Sequence, residues 1–212
     1  MADDRLRIWE RLFQRALELI DSVGAAGVVL EDWSFGGGTV LMLRHRHRVS
    51  KDVDIFVPDP QYLGYLTPRL NPKAEALTAN YVEQTRFLKL FFPEGEIDFV
   101  ASAPLTDDPT TTQRMFGRDV KVETPTEIVA KKVWHRGDAF TARDIFDFAL
   151  IAEKEPDALR QIKPVLHSRK DVILQRIASH EGLLRETFSA LEVLDYRRSF
   201  DECVELVRAA LR

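Results

Sequence analysis

Apolar positions along the chain recur at two periods, and the change between them divides it into two stretches. Between Arg5 and Val23, the residues Leu6, Trp9, Leu12, Phe13, Ala16, Leu17 and Ile20 recur at helical spacing behind Asp3 and Asp4. They predict an amphipathic helix ended by Gly24 and Gly27. Residues 28–35 (VVLEDWSF) predict a strand running into Gly36-Gly37-Gly38, and Thr39 to His45 a short helix. Residues 52–57, β-branched and aromatic and stopped by Pro58, predict a second strand. Residues 59–79 predict helix interrupted by Pro68 and Pro72, and 81–92 with 96–101 an extended pair joined through Pro93-Glu94-Gly95. A polar, threonine-rich loop then leads to a strand at 118–122. From Thr124 onward only helical spacing remains. Thr124-Pro125-Thr126-Glu127 supplies an N-cap, a proline at the first helical position and an acid at the third. The helices expected there are 125–136, 141–153, 156–167, 169–180, 182–194 and 197–211. The fold class expected is α+β: a small mixed sheet with helices over residues 1–122, followed by an all-helical domain over 123–212.

Composition changes this picture little. Of the 212 residues 45% are hydrophobic and 30% charged, an ordinary globular balance. No apolar run approaches the roughly 18–20 residues of a membrane span, and MADDRLRIWERLF lacks the apolar centre of a secretory signal. The single cysteine, Cys203, excludes a disulfide framework or a cysteine-rich zinc site and reads as a core residue. A cytoplasmic protein with no membrane partner is therefore expected. The net charge of −4 argues against a uniformly nucleic-acid-binding surface. Two local clusters still suit a phosphate-bearing ligand, Arg44 to Arg48 with Lys51, and Lys131, Lys132, His135, Arg136 and Arg143; solvated surface is the competing reading. His45 and His47 lie among arginines, which disfavours a zinc ion there. Trp134 reads as packing, with base stacking between Lys132 and Arg136 as the alternative.

The chemistry is carried by Gly36-Gly37-Gly38-Thr39, Asp52-Val53-Asp54 and Asp98. Residues two apart on a strand share a face, so Asp52 and Asp54 project together among apolar neighbours. Paired carboxylates in such a place repel and desolvate one another unless a cation sits between them. Mg²⁺, with Mn²⁺ as a substitute, is the hard ion that carboxylate oxygens, water and substrate phosphates hold. With Asp98 from a neighbouring strand, three carboxylates suffice for the two-ion arrangement of phosphoryl and nucleotidyl transfer. The glycines let backbone approach a triphosphate, and the N–H groups opening the next helix point at the anion. Lys132 and Arg136 are i,i+4 on one helix face and could clamp phosphate oxygens, and Asp144 and Asp147 likewise share a face.

This constellation resembles the nucleotidyltransferase superfamily pattern of two small residues, Asp-x-Asp and a later lone carboxylate. The run GGTVLMLRHRHRVSKDVDIF further resembles the first motif of the AbiEii/AbiGii toxin family, a GGT start with an HRxSxDxD ending, here His47, Arg48, Ser50, Asp52 and Asp54. The later EIVAKKVWHR and TARDIFDF are similar to that family's second half, mapping onto Ala130, Lys132, Arg143, Asp144 and Asp147. The resemblance runs from about Trp33 to Phe148. It implies a nucleotidyltransferase-type sheet and transfer of a nucleoside monophosphate from an NTP to an acceptor hydroxyl, with pyrophosphate released. The acceptor implied is the 3′ end of a tRNA, and the protein a toxin neutralised by a cognate antitoxin. Asp52, Asp54, Asp98, Lys132 and Asp144 are the expected catalytic residues, the first three also as metal ligands. Gly37, Gly38, Thr39, Arg48, Ser50, Lys132, Arg136 and Asp147 are the expected nucleotide ligands. A protein acceptor (AMPylation), a small-molecule acceptor and a non-catalytic NTP-binding partner protein are the alternatives.

Overall fold

The computed structural model describes residues 4–212; Asp3, expected just ahead of the first helix, lies outside the described residues. The chain forms two compact units. The first holds the chain up to Val40 together with Ser50–Ala103 and Thr110–Glu123; the second holds Leu41–Val49, Pro104–Pro109 and Thr124–Arg212. Two short segments from the N-terminal half, 41–49 and 104–109, thus belong to the helical unit.

In the first unit the amphipathic segment is helical as its spacing requires. A 3₁₀ turn at Asp4–Arg7 leads into α1 (Ile8–Ser22), which buries Trp9, Leu12, Phe13, Ala16, Leu17 and Ile20. Gly27, at φ 73°, closes the 3₁₀ turn that follows. The sheet has seven strands: β1 (Ser34–Gly36), β2 (Val53–Val57), β3 (Tyr81–Gln84), β4 (Phe87–Phe92), β5 (Gly95–Ala101), β6 (Thr110–Met115) and β7 (Arg118–Glu123). Their spatial order is β3-β4-β5-β2-β1-β7-β6. The β2–β5 and β1–β7 pairs are parallel and the others antiparallel. Phe13 packs on Phe35 of β1 with ring centroids 4.6 Å apart, which seats α1 on the middle of the sheet. Two short helices, α3 (Gln61–Leu66) and α4 (Pro72–Leu77), follow β2, the second capped by the Asn71 side chain.

The sheet departs from the sequence expectation in three places. Of the 28–35 segment only Ser34 and Phe35 are strand, in β1. Ahead of it, the buried Leu30 and Trp33 are three apart, a spacing no strand puts on one face, and Val29 is 68% exposed. The 81–92 segment is a hairpin rather than one strand, with Gln84 opposite Phe87 across a turn at Thr85-Arg86 that carries no glycine, proline or asparagine to announce it. The threonine-rich stretch expected as loop is β6, an edge strand exposed on both faces and so without alternation. Phe116 (φ 48°) and Gly117 (φ 81°) make the β6–β7 turn, both in the left-handed region that two-residue hairpin turns require.

In the second unit α5 (Pro125–Arg136) begins where Thr124 and Pro125 predict, the Thr124 hydroxyl accepting from the Glu127 N–H. α6 (Ala142–Lys154) opens on a reciprocal capping box between Thr141 and Asp144. α7 (Pro156–Gln161) and α8 (Lys163–Ser179) divide at Ile162, not near residue 168. α9 (Glu181–Ser189) stops before 194, and α10 (Phe200–Ala210) starts three residues later than expected because Ser199 caps it. Phe140, Phe146, Phe148, Phe188 and Phe200 fill this unit's core, with Cys203 fully buried among them as its apolar neighbours predict. α2 (Gly37–His45) has its first turn in the sheet unit. Ser199→Ala is expected to cost about 1 kcal/mol of stability, measured by urea unfolding, because it removes the hydroxyl that accepts from the Glu202 N–H at the start of α10.

Candidate active site

One row of backbone crosses four adjacent strands at the centre of the sheet. Gly36 of β1 pairs with Asp54 of β2, Asp54 with Asp98 of β5, and Asp98 with Lys89 of β4. Directly opposed residues on neighbouring strands share a face, so the register places the Asp54 and Asp98 carboxylates side by side. Burial, then the charge of Asp54, pushes the Asp98 carboxyl up from 3.8 to about 7, although Lys89 pulls the other way. Lys89 Nζ lies 3.0 Å from Asp98 Oδ2 and 2.5 Å from Glu96 Oε2. Asp98 Oδ1 is buried and has no hydrogen-bond partner among the described residues. Asp52 stands just before β2, and its Oδ1 accepts from the Glu96 N–H at 3.2 Å.

The glycines close this site from above. Gly37, the first residue of α2, has φ 73°, and a Cβ there would overlap the Asp54 carboxylate. The helix start therefore lies directly against an acidic side chain, an approach only glycine permits. A Cβ on Gly36 would strike Phe56 and Glu123, the acid that accepts from the Ser34 hydroxyl at 3.0 Å. Gly38 is buried in the same first turn. Thr39 Oγ1 donates to the Asp52 carbonyl at 2.5 Å and lies 3.1 Å from Ser50 Oγ, which ties the α2 N-terminus to the entrance of β2. Thr39 and Ser50 thus serve in this geometry to hold the glycine turn against the acids.

Asp54 and Asp98 fit a hard divalent cation. They offer oxygen donors only, one of them a buried atom with no other partner, and their mutual repulsion is what such an ion relieves. The Asp52 carboxylate is turned to the Glu96 N–H, and among the described residues no three acidic, histidine or cysteine side chains close into a metal cluster.

The second unit has its own polar network, built on α5 and α6. Lys132 Nζ bridges Asp144 Oδ1 at 2.6 Å and Asp147 Oδ2 at 3.1 Å. Asp147 also takes both nitrogens of the Arg48 fork, Nε and Nη2, each at 2.8 Å, and the His47 Nε2–H at 2.8 Å. Asp144 accepts from the Thr141 N–H (3.1 Å) and hydroxyl (2.7 Å), with Arg136 Nη1 at 3.6 Å. Both aspartates are fully buried. Burial opposes their ionisation most strongly, yet Lys132 and Arg136 hold the Asp144 carboxyl below its usual range, and Arg48, Lys132 and His47 hold Asp147 well below it. Burial lowers the His47 imidazole in spite of Asp147, so the ring is neutral and donates from Nε2.

Arg48 and Asp147, expected as nucleotide ligands, are here each other's partner. Arg48 is 3% exposed and both Asp147 oxygens are occupied, Oδ2 by Lys132 as well as by Arg48. Arg136 keeps half its side chain exposed. Lys131 is buried against Glu127 on another face of α5, and Trp134 carries the Arg169 guanidinium at 4.7 Å. Two residues were missed in the sequence. Lys89 is the one cation inside the apolar strand FLKLFF, a signal that was available. His47 sits in the motif beside Arg48, but only the fold shows that its ring reaches Asp147.

Residues 25–211 match the family of the nucleotidyl transferase AbiEii toxin of type IV toxin–antitoxin systems. The chain belongs to the AbiEii family. Solved structures similar to this AbiEii chain include two Helicobacter pylori proteins. One, described as a candidate nucleotidyltransferase, is 12% identical, covers 100% of this chain and 94% of its own, and has a TM-score of 0.53. The other, JHP933, is 11% identical, covers 100% and 91%, with a TM-score of 0.53. MenT4, the nucleotidyltransferase toxin Rv2826c of Mycobacterium tuberculosis H37Rv, is 17% identical over 94% of this chain and 82% of its own, with a TM-score of 0.50. At these identities the likeness speaks for the fold. No curated protein matches the chain. AbiEii membership makes the protein a nucleotidyltransferase toxin with an NTP substrate and an antitoxin partner. Among the described residues no helix is long and apolar enough to cross a membrane.

Two outcomes follow from these geometries. The folded protein holds a proton on Asp98 up to about pH 7 that the unfolded chain releases near 3.8, so stability from this group is present at low pH and declines as pH rises through that window. Asp98→Asn should therefore raise the stability of metal-free protein by roughly 1–2 kcal/mol near pH 8 and leave it unchanged near pH 4, read from urea unfolding at both. Arg48→Met should cost about 3–5 kcal/mol at neutral pH, because it strips a buried carboxylate of its bidentate partner.

Proposed function

We propose that this AbiEii chain transfers a nucleoside monophosphate from an NTP to the 3′ hydroxyl of a tRNA in the cytoplasm, with Mg²⁺ as cofactor and Mn²⁺ as a substitute. The observation that carries the reading is the Asp54–Asp98 pair, set side by side under the glycine start of α2 with one buried oxygen unpartnered. Asp52, Asp54 and Asp98 are the residues that would hold the ion. When bound, it supplies positive charge to the triphosphate and to the oxygens gained and lost at the α-phosphorus.

The acceptor oxygen bonds to the α-phosphorus, the bond from that phosphorus to the bridging oxygen of the β-phosphate breaks, and pyrophosphate leaves. Asp98 Oδ1 is the atom assigned to receive the hydroxyl proton. The N–H groups of Gly37, Gly38 and Thr39, in the first turn of α2, bind triphosphate oxygens, for which a helix N-terminus is suited. Ser50 fixes that turn and offers its own hydroxyl. Lys132 and Arg136 are the phosphate-binding cations of the helical unit; Asp144 aims Lys132, and the Arg48–Asp147 pair with His47 holds it in place.

The test incubates the protein with each α-labelled NTP, Mg²⁺ and total tRNA beside an Asp54→Ala control. Label should enter tRNA with the wild type and not with the variant, which lacks a metal-holding carboxylate. Pyrophosphate released without label in RNA points to a protein or small-molecule acceptor. Silence in both channels overturns transfer and leaves an NTP-binding protein.

A further inference from the structure

The helical unit contains a second cationic site that the reaction above does not use. A cavity of about 430 Å³ is lined by His45, Leu150, Lys154, Tyr196, Arg197 and Arg198, with Asp195 beside them. Leu150 and Tyr196 are buried and make an apolar floor, and the Tyr196 hydroxyl donates to Glu153 at 3.0 Å. Around the rim each acid is already met by an arginine. Arg44 reaches Glu155 at 2.7 Å, with His45 on the same oxygen; Arg46 reaches Asp195 at 2.9 Å; Arg198 reaches Glu153 at 2.6 Å. Lys154 and Arg197 are left over. Both are exposed, and neither side chain makes a hydrogen bond or ion pair among the described residues, Lys154 acting on Glu153 only through its charge. The cavity therefore carries two surplus positive charges beside an apolar floor in a chain whose net charge is −4.

The cavity also lies in line with the Lys132 network. Lys154 is seven residues beyond Asp147 on α6, two helical turns or about 10 Å at 1.5 Å per residue, and Leu150 lies between them on the same face. Successive charges of one strand rise about 3.4 Å along the axis of a B-form helix, so this distance corresponds to roughly three of them. We propose that this cavity binds backbone phosphate of the acceptor nucleic acid, with Lys154 and Arg197 as the contacts and the Leu150–Tyr196 floor against the sugar. The assignment rests on the nucleic-acid acceptor proposed above and adds where that acceptor is held.

The test measures fluorescence anisotropy of a labelled single-stranded RNA oligonucleotide with the full chain in EDTA, without NTP, across a NaCl series. Lys154→Ala/Arg197→Ala should weaken binding about tenfold and lower the salt slope by about 1.4, the value for two lost phosphate contacts on a single strand. Thermal melting checks its fold, which two unpaired surface cations should not disturb. Lys163→Ala/Lys170→Ala, removing two cations of α8, should stay within about twofold of wild type. Unchanged affinity and slope in the cavity variant overturns the proposal. So does an equal loss in both variants, or a cavity that takes inorganic phosphate while RNA affinity is unaffected. Asp54→Ala should bind the RNA with the wild-type slope, so a failure of the transfer reading and a failure of this site register in different experiments.

Discussion

Two carboxylates held at the spacing of adjacent parallel strands repel one another, and much of the sheet unit is arranged around that repulsion. The β2–β5 register leaves Asp54 and Asp98 no freedom to separate along the strand direction. Lys89 relieves part of the strain from the far side, and protonation of Asp98 up to about pH 7 relieves more. Neither reaches the buried Oδ1. In the function proposed above, a divalent ion would relieve this residual deficit, and the glycine turn at the start of α2 lies directly against Asp54.

The helical unit handles buried charge in the opposite way. Asp144 and Asp147 are more deeply enclosed than Asp98, yet both stay ionised because Lys132, Arg48, Arg136 and the His47 ring surround them. Such networks add little net stability compared with an apolar core of the same shape, but they fix geometry, since each partner removed leaves an uncompensated charge. What is fixed here is the position of one lysine ammonium, set between two carboxylates.

Much of this was legible in the sequence. Thr124-Pro125 announced α5, and Asp54 and Asp98 stood out as acids inside β-branched, aromatic runs. What stayed hidden depends on tertiary pairing. The edge strand β6 has no buried face to impose alternation, and the turn at Thr85-Arg86 has no residue that demands a special backbone. Arg48 read as a phosphate ligand because its fork suits phosphate; it suits a carboxylate equally well, and Asp147, 99 positions away, is the carboxylate it meets. Lys89 stands out in the sequence as the one cation of an apolar strand, but that it faces Asp98 emerges only from the β4–β5 pairing.

The turn at Gly37 also has a genetic side. A left-handed backbone pressed against an acidic side chain leaves this position no tolerated neighbour in sequence space, because every missense change at its codon adds a side chain where Asp54 already lies. Gly36, one residue earlier, is under the same steric limit from Glu123 and Phe56. For a toxin, whose host gains by silencing it, the Gly37 codon is one at which any single missense change strikes the acidic row itself.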